Sequence, residues 1–286
     1  MRDYYAIQVL NPSPALKADL TALGFHAHEY KEKRVEALSS TSLTSTLKLQ
    51  ISIDDQRLPD LIRLNEKYRC LSAYLTEFDE NDFAQATWLE AEITSWIGYP
   101  KPENSWQEVT YDLADHEYCR HCGLGRRQVK PFRLARSHPR GKTVSFCAPG
   151  WVHDALFITL QVQETLLAAG IEGTRFMPAI EAGSKVPFAD VIQLLVDQVL
   201  EPGLLNGDDF APEICSYCQR KKYVPYRRVK RYRHDALPDQ VDLIMTHEWF
   251  GSGGMAFRKI LVSRRFAELY QEQCWRGIRL SPVVLE

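Results

Sequence analysis

The first 80 residues alternate between stretches with the two-residue period of a strand and stretches with the spacing of a helix. One predicted helix opens at Pro14 and ends at Gly24. The other covers 57–67, with Asp54 or Asp55 available as its cap. Alternation, or enrichment in aliphatic and aromatic residues, predicts four strands: 4–10, 25–30, 47–53 and 71–78.

The connections complete the prediction for this part of the chain. The Ser/Thr-rich stretch 35–47 is predicted to be a connection between two strands. The resulting order, β-α-β-β-α-β, is that of a ferredoxin-like unit, so we expect an N-terminal α+β domain over 1–80. The acidic stretch 81–110 contains GYPKPENSW, and its prolines and glycine predict a linker or an extended wrap.

The hydrophobic pattern of the C-terminal two-thirds repeats itself. Residues 157–178 align with 261–282 at a constant shift of 104, and each copy has the pattern strand, helix, glycine turn, strand. The apolar stretch 187–200 is predicted to be a helix that joins the copies. The sequence therefore predicts an α+β fold with two pseudo-repeated modules, 111–185 and 186–286. The identical pairs are Glu164/Glu268, Gly173/Gly277, Arg175/Arg279 and Pro178/Pro282.

Composition narrows the class of protein. The chain has 286 residues, of which 45% are hydrophobic and 25% charged, as in an ordinary globular protein. A formal net charge of −2 excludes binding to nucleic acid through the field of the whole molecule. The N-terminus lacks the apolar core of a signal peptide, and no stretch approaches eighteen apolar residues. We therefore expect a cytoplasmic protein without a membrane span.

One Cys-x-x-Cys pair precedes each copy of the repeat. A structural zinc ion takes four Cys or His ligands in a tetrahedron, and one pair supplies only two of them. We therefore predict that Cys119, Cys122, Cys215 and Cys218 together bind one structural Zn²⁺ per chain and tie the two modules together. The other cysteines are predicted to be small hydrophobic residues rather than ligands: Cys70, Cys147 and Cys274.

Two alternatives for the cysteines stay open. Each pair could recruit local histidines instead of the other pair. A redox Cys-x-x-Cys is the second alternative, although the chain lacks the thioredoxin-like βαβ context that it would need. The candidate histidines are His116, His121 and His138 in the first module and His234 and His247 in the second.

A run rich in Lys and Arg follows each pair, at 119–142 and at 220–234. If the pairs share one ion, the two runs could form a surface for nucleic acid or for an acidic protein partner. Alternatively, they could be solvated hairpins that offset the charge of a four-thiolate centre. The candidate contact residues are Arg126, Arg127, Lys130, Arg220, Lys221, Lys222, Arg227, Arg228, Lys230, Arg231 and Arg233.

One stretch has the composition of an active site. HEWFGSGGMAF, at 247–257, brings His247 and Glu248 beside a glycine-rich turn. It matches neither a phosphate-binding loop nor HExxH, and no nucleophile elbow occurs in the chain. We therefore expect no catalytic residues and no cofactor other than the metal, with an enzyme built on this stretch as a minor hypothesis.

The pairs and the repeat endings resemble a known family. CRHCG at 119–123, CSYC at 215–218 and the endings EGTRFMP and RGIRLSP resemble the bacterial double-CxxCG motif proteins, over roughly 82–286. Gln219 stands where the motif has its second glycine, and residues 1–76 are additional. The family includes immunity proteins, so the resemblance implies a non-enzymatic protein that binds and neutralises a cognate toxin. The alternative function is a zinc-ribbon protein that binds nucleic acid through the basic runs.

Overall fold

The computed structural model describes residues 1–36, 40–137, 144–238 and 240–286. The fold is mixed α+β, and the chain divides into two units. One comprises Met1–Glu80 with Tyr226–Val229, and the other Asn81–Pro225 with Lys230–Glu286. No helix in the described part of the chain is both long and apolar enough to cross a membrane.

The N-terminal unit is an antiparallel sheet with two helices. The sheet order is β2-β3-β1-β4, and each neighbouring pair is antiparallel. The helices share one core with alternate residues of β1 and β3, so both pack on the same face of the sheet. The elements are β1 (Arg2–Leu10), α1 (Pro14–Ala22), β2 (His28–Glu36), β3 (Ser40–Ser52), α2 (Leu58–Tyr68) and β4 (Leu71–Glu77).

Two local predictions for this unit were wrong. The Ser/Thr-rich stretch predicted as a connection belongs largely to β3, which begins at Ser40, since Thr favours a pleated strand. The cap of α2 is Arg57, with no side-chain cap bond, and the Asp55 side chain instead accepts the Arg57 N–H. In α1, by contrast, the Ser13 hydroxyl caps the first turn by accepting the Leu16 N–H.

Four residues of the second basic run belong to the N-terminal unit. The carbonyl of Arg227 accepts the N–H of Thr76 at 2.8 Å, and the Thr76 hydroxyl accepts the N–H of Val229 at 2.8 Å. The guanidinium of Arg228 lies 3.8 Å from the carboxylate of Asp3. The segment 226–229 therefore contributes backbone pairing and an ion pair to this unit.

The larger unit contains two main sheets. One has the order β6-β9-β10-β8-β7, the other β11-β12-β14-β15-β5-β16, and β13 pairs with β17. Two short 3₁₀ turns, Gly207–Phe210 and His234–Ala236, also occur. The helices are α3 (Glu80–Gln85), α4 (Trp106–Thr110), α5 (Leu160–Ala168) and α6 (Arg264–Glu272). The strands are β5 (Trp88–Ile93), β6 (Arg133–Leu134), β7 (Phe146–Cys147), β8 (Leu156–Thr159), β9 (Arg175–Glu181), β10 (Pro187–Leu195), β11 (Pro212–Ile214), β12 (Lys221–Tyr223), β13 (Arg231–Tyr232), β14 (Leu243–Phe250), β15 (Phe257–Ser263), β16 (Ile278–Pro282) and β17 (Val284–Leu285).

Two predictions for this unit were wrong. The segment 81–110 is not a linker throughout, because it contains β5, an inner strand between β15 and β16. Its apolar side chains enter the largest core cluster. The stretch 187–200, predicted to be a helix, forms β10, an inner strand between β8 and β9. A short apolar run has the same composition as a buried helix, so its period alone did not decide between them.

The two strand–helix–strand segments correspond closely. The helices α5 and α6 begin 104 residues apart and end 104 residues apart. Each is capped by the hydroxyl of the preceding residue, Thr159 in the first and Ser263 in the second. In both sheets the strand before the helix and the strand after it flank a third strand, which is β10 in one and β5 in the other.

The turns after the helices make exchanged contacts. The carbonyl of Glu172 accepts the N–H of Leu243, at the start of β14. The carbonyl of Arg276, 104 residues later, accepts the N–H of Phe146, at the start of β7. Each turn therefore pairs with the second strand before the other helix, β14 in one case and β7 in the other.

Glycines make these contacts sterically feasible. Gly173 and Gly277 both have positive φ angles, of 83° and 117°. A Cβ atom on Gly277 would overlap the Phe146 carbonyl, and one on Gly173 would overlap that of Leu243. Both positions therefore require glycine.

We predict that Gly277→Ala lowers the free energy of unfolding by at least about 2 kcal/mol, because backbone strain and overlap with the Phe146 carbonyl add together. Gly183→Ala is the matched control, since a Cβ atom there meets nothing within 4 Å. Urea denaturation of both variants measures the difference. Equal stabilities would contradict the close backbone approach at Gly277.

Candidate metal centre

The two cysteine pairs lie in loops with the same backbone hydrogen bonds. In the first loop the N–H of Cys119 donates to Leu124 at 2.8 Å, and the N–H of Gly123 donates to Cys119 at 2.8 Å. In the second, at a shift of 96 residues, Cys215 donates to the carbonyl of Arg220 at 3.0 Å, and the N–H of residue 219 donates to Cys215 at 2.9 Å. Each loop turns both thiols of its pair to one side.

The residue after each pair is left-handed, which explains both the motif glycine and its replacement. Gly123 has φ of 78° and Gln219 has φ of 57°. A Cβ atom at Gly123 would lie 2.8 Å from the Gly254 carbonyl and 3.1 Å from the Ala256 nitrogen. The first loop thus needs glycine for space as well as conformation. The second accommodates glutamine, whose amide donates to the backbone of its own loop.

The four sulfur atoms are close enough to bind one ion. All four Sγ atoms lie within 4.8 Å of one another. The Sγ atoms of Cys119 and Cys215 are 4.0 Å apart, and those of Cys122 and Cys218 are 3.7 Å apart. A tetrahedral ion bonded to sulfur at about 2.3 Å requires sulfur–sulfur distances of about 3.8 Å. The cluster therefore fits one tetrahedral metal ion, and its four thiols fill every ligand position.

The surroundings favour thiolates at one corner of the cluster. Burial raises the pKa of Cys122, and the N–H of Leu124 acts against that rise. Burial acts in the same direction on Cys218, but hydrogen bonds from the backbone and guanidinium of Arg220 outweigh it and lower its pKa to about 6. Since metals bind thiolates, Arg220 stabilises the form of Cys218 that a metal requires.

The histidine alternative receives no support from the described residues. The metal-competent group that they form contains the four cysteines alone. His116 is 90% exposed, and the His121 ring packs on that of Tyr217, with centroids 4.1 Å apart. His234 and His247 are exposed, and His138 lies outside the described residues.

The three cysteines outside the pairs differ in burial. All seven thiols are free in this structure. Cys147 is buried in an apolar cluster, as predicted for a small hydrophobic residue. Cys70 is half-buried and packs against the core of the N-terminal unit, whereas Cys274 is exposed, so burial does not describe all three.

Three of the predicted contact residues are internal. Arg126 and Lys222 each follow the second cysteine of their pair by four residues, and both side chains are almost fully buried. Arg126 pairs with Asp154 at 2.6 Å. The ammonium of Lys222 donates to the carbonyls of residues 253 and 255. Lys230 is also buried.

Lys230 belongs to a buried group of three charges. The carboxylate of Glu90, on β5, lies 2.6 Å from the ammonium groups of both Lys230 and Lys259. Burial alone would raise the pKa of Glu90, but the two ammonium groups outweigh it and hold that pKa at about 2. Lys230 is therefore paired with a buried carboxylate of β5 rather than facing solvent.

Most of the remaining candidates are at the surface and already have acidic neighbours. Arg127 contacts Asp112 and Asp115, and Arg220 contacts Glu117. The ammonium of Lys221 instead lies over the ring of Tyr223, and Lys130 is exposed. The other two ion pairs are Arg231 with Glu286 and Arg233 with Asp235.

The stretch 247–257, which has the composition of an active site, contains a glutamate with a structural role. The Oε1 atom of Glu248 accepts the N–H groups of Gly203 and Leu204, at 3.2 and 3.1 Å. His247 is exposed on the same strand. The glycine-rich turn connects β14 to β15. Glu248 is thus engaged with backbone amides rather than with His247.

We expect Cys215→Ser to remove the bound metal and to lower the melting temperature, because three thiols leave one ligand position unfilled. Cys274→Ser is the matched control, since that thiol is exposed and lies outside the cluster. Elemental analysis of the purified proteins, with thermal denaturation, checks both effects. Unchanged metal content in Cys215→Ser would refute the four-cysteine centre.

We also predict that Lys230→Met destabilises the fold by about 3 kcal/mol, because Glu90 loses one of its two buried partners. Arg233→Met is the control, since its side chain is half-exposed and its partner Asp235 is more so. Chemical denaturation measures both. A Lys230 variant as stable as the control would show that Glu90 does not depend on this ammonium.

The sequence matches no protein-family model and no curated protein.

Proposed function

We propose that this chain is a non-enzymatic zinc protein that binds and neutralises a protein partner, most simply a cognate toxin. The observation that carries the proposal is the cluster of four sulfur atoms within 4.8 Å of one another. Four thiolates occupy all four coordination positions of a tetrahedral ion, so no position is left for water or substrate. A metal held this way stabilises the fold and does not activate a nucleophile.

Zinc is the ion that suits this donor set best. Soft thiolates in a tetrahedron select zinc or iron–sulfur chemistry, and structural Cys₄ sites built from two Cys-x-x-Cys loops are typical of zinc. The centre joins segments 96 residues apart in the sequence, as in the contact between Cys119 and Cys215. Its role is to fasten the two modules of the larger unit to each other.

We further propose that the two modules are diverged copies of one ancestral unit and that they are arranged around this ion. Matched helix lengths, matched caps and the exchanged turn contacts support this proposal. The matched hydrogen bonds of the two cysteine loops support it independently, because those loops lie outside the aligned 22 residues.

A protein partner suits the basic residues better than nucleic acid does. A phosphate-binding groove needs cations that reach solvent, but Arg126, Lys222 and Lys230 are buried. Four of the exposed arginines have carboxylate neighbours. The resemblance to the double-CxxCG proteins gives the partner its class, a toxin, and the same resemblance supports the absence of catalysis.

Co-expression tests the proposal. We expect the chain to restore growth of bacteria that express the toxic protein encoded beside its gene, and to purify with it as a complex carrying one zinc ion per chain. Cys215→Ser should fail to restore growth, whereas Cys274→Ser should succeed. No rescue by the unaltered chain, or iron in place of zinc, would contradict the corresponding part of the proposal.

Oligonucleotide binding distinguishes the alternative function. We expect no micromolar binding to single- or double-stranded DNA or RNA at physiological salt. Binding with a steep salt dependence would favour nucleic acid, since each neutralised phosphate adds about 0.7–0.9 to the slope of log affinity against log salt.

A further inference from the structure

A cavity of about 630 Å³ lies beside the metal centre in the larger unit. Its size falls within the range of pockets that hold small organic molecules. Both cysteine loops contribute to its wall: Glu117 and Leu124 flank the first pair, and Arg220 and Lys221 follow the second. The cavity therefore depends on the same convergence of loops as the metal centre.

Positive charge dominates this wall. Four cations line the cavity, namely Arg220, Lys221, Arg233 and Arg258, against the two carboxylates of Glu117 and Glu248. Glu117 pairs with Arg220 at 3.2 Å. The Oε1 atom of Glu248 is held by two backbone amides, and its Oε2 atom is closed off from solvent. The four cations against two carboxylates leave an excess of positive charge on this wall.

Two of these cations lack a carboxylate contact among the described residues. The ammonium of Lys221 lies 5.1 Å from the centre of the Tyr223 ring, and its side chain is exposed. The guanidinium of Arg258 lies 4.6 Å from the centre of the Trp249 ring. It also donates through Nη1 to the carbonyls of Thr246 and His247, both at 2.6 Å.

Arg258 carries its charge in a partly desolvated place. Burial lowers its pKa, and the nearest acidic groups act only at longer range. A cation held by carbonyls and an indole, with no carboxylate in direct contact with it, gains from an anion placed nearby. Arg258 and Trp249 also line a second cavity, of about 320 Å³.

Apart from His247, the rest of the wall is apolar and aromatic. Leu124, Leu204, Leu205 and Tyr223 line it together with Trp249, which also packs against the cysteine cluster. Such a surface suits a flat or apolar body, and inorganic phosphate alone would leave most of it uncovered.

We propose that this cavity binds a small organic anion, with its phosphate or carboxylate on Lys221 and Arg258 and an aromatic body against Trp249. This proposal does not depend on toxin neutralisation, because its test needs only the chain itself and small probes.

Calorimetry with the full-length, zinc-loaded protein tests the site, with phenyl phosphate and adenosine monophosphate as probes. We expect at least one probe to bind with Kd below about 1 mM. Inorganic phosphate and adenosine, which each supply half of the chemistry, should bind at least about tenfold more weakly. If neither probe binds, or if inorganic phosphate binds as tightly as both, the proposal is overturned.

Variants locate the binding. Lys221→Ala changes an exposed side chain and should weaken probe binding about tenfold, and Arg258→Gln should weaken it at least as much. Lys130→Ala is the matched control, since this exposed cation lines neither cavity. Zinc content and melting temperature confirm that each variant is folded. Equal affinities in Lys221→Ala and Lys130→Ala would place any binding elsewhere and refute the site.

Discussion

Four sulfur atoms from two distant segments must meet at one point, and the larger unit is arranged around that requirement. Cys119 and Cys215 are 96 residues apart in sequence, and closing such a loop costs chain entropy. Local structure reduces the cost, because each loop fixes its own two thiols through backbone hydrogen bonds before they meet. An ion bound by the four thiols would have to fix only the position of one loop against the other.

The basic runs show how a charged sequence can be internal architecture. Arg126 and Lys222 occupy equivalent positions after their pairs, and both are buried. Arg126 is stabilised by a carboxylate, and Lys222 mainly by carbonyl groups. Burying a cation is tolerated only when such partners are present. The basic runs therefore contain both buried and surface cations. Neither the density of charge along the sequence nor the net charge of −2 distinguishes the two kinds.

The hydrophobic period predicted the elements whose structure depends on neighbouring residues in the sequence. It failed for segments whose structure depends on pairing with distant strands. The strand at 4–10, the helix from Pro14 and the segments around α5 and α6 follow from spacing and caps. The stretches containing β5 and β10 became inner strands because neighbouring strands pair with both of their edges. No local pattern carries that information, because the partners come from distant parts of the sequence.

The four-cysteine cluster was predictable because the spacing of the cysteines in the sequence indicates it. The cavity beside it was not predictable from the sequence. One Cys-x-x-Cys pair supplies two of the four ligands of a tetrahedral metal site, and a second pair supplies the other two. Lys221, Trp249 and Arg258 lie on three different strands and meet only after the sheet forms. Their strands β12, β14 and β15 are neighbours in that sheet, and β12 directly follows the second cysteine loop. Lys221 therefore lies where the second cysteine loop joins that sheet, so the cysteine loop and the cavity wall are continuous in the chain.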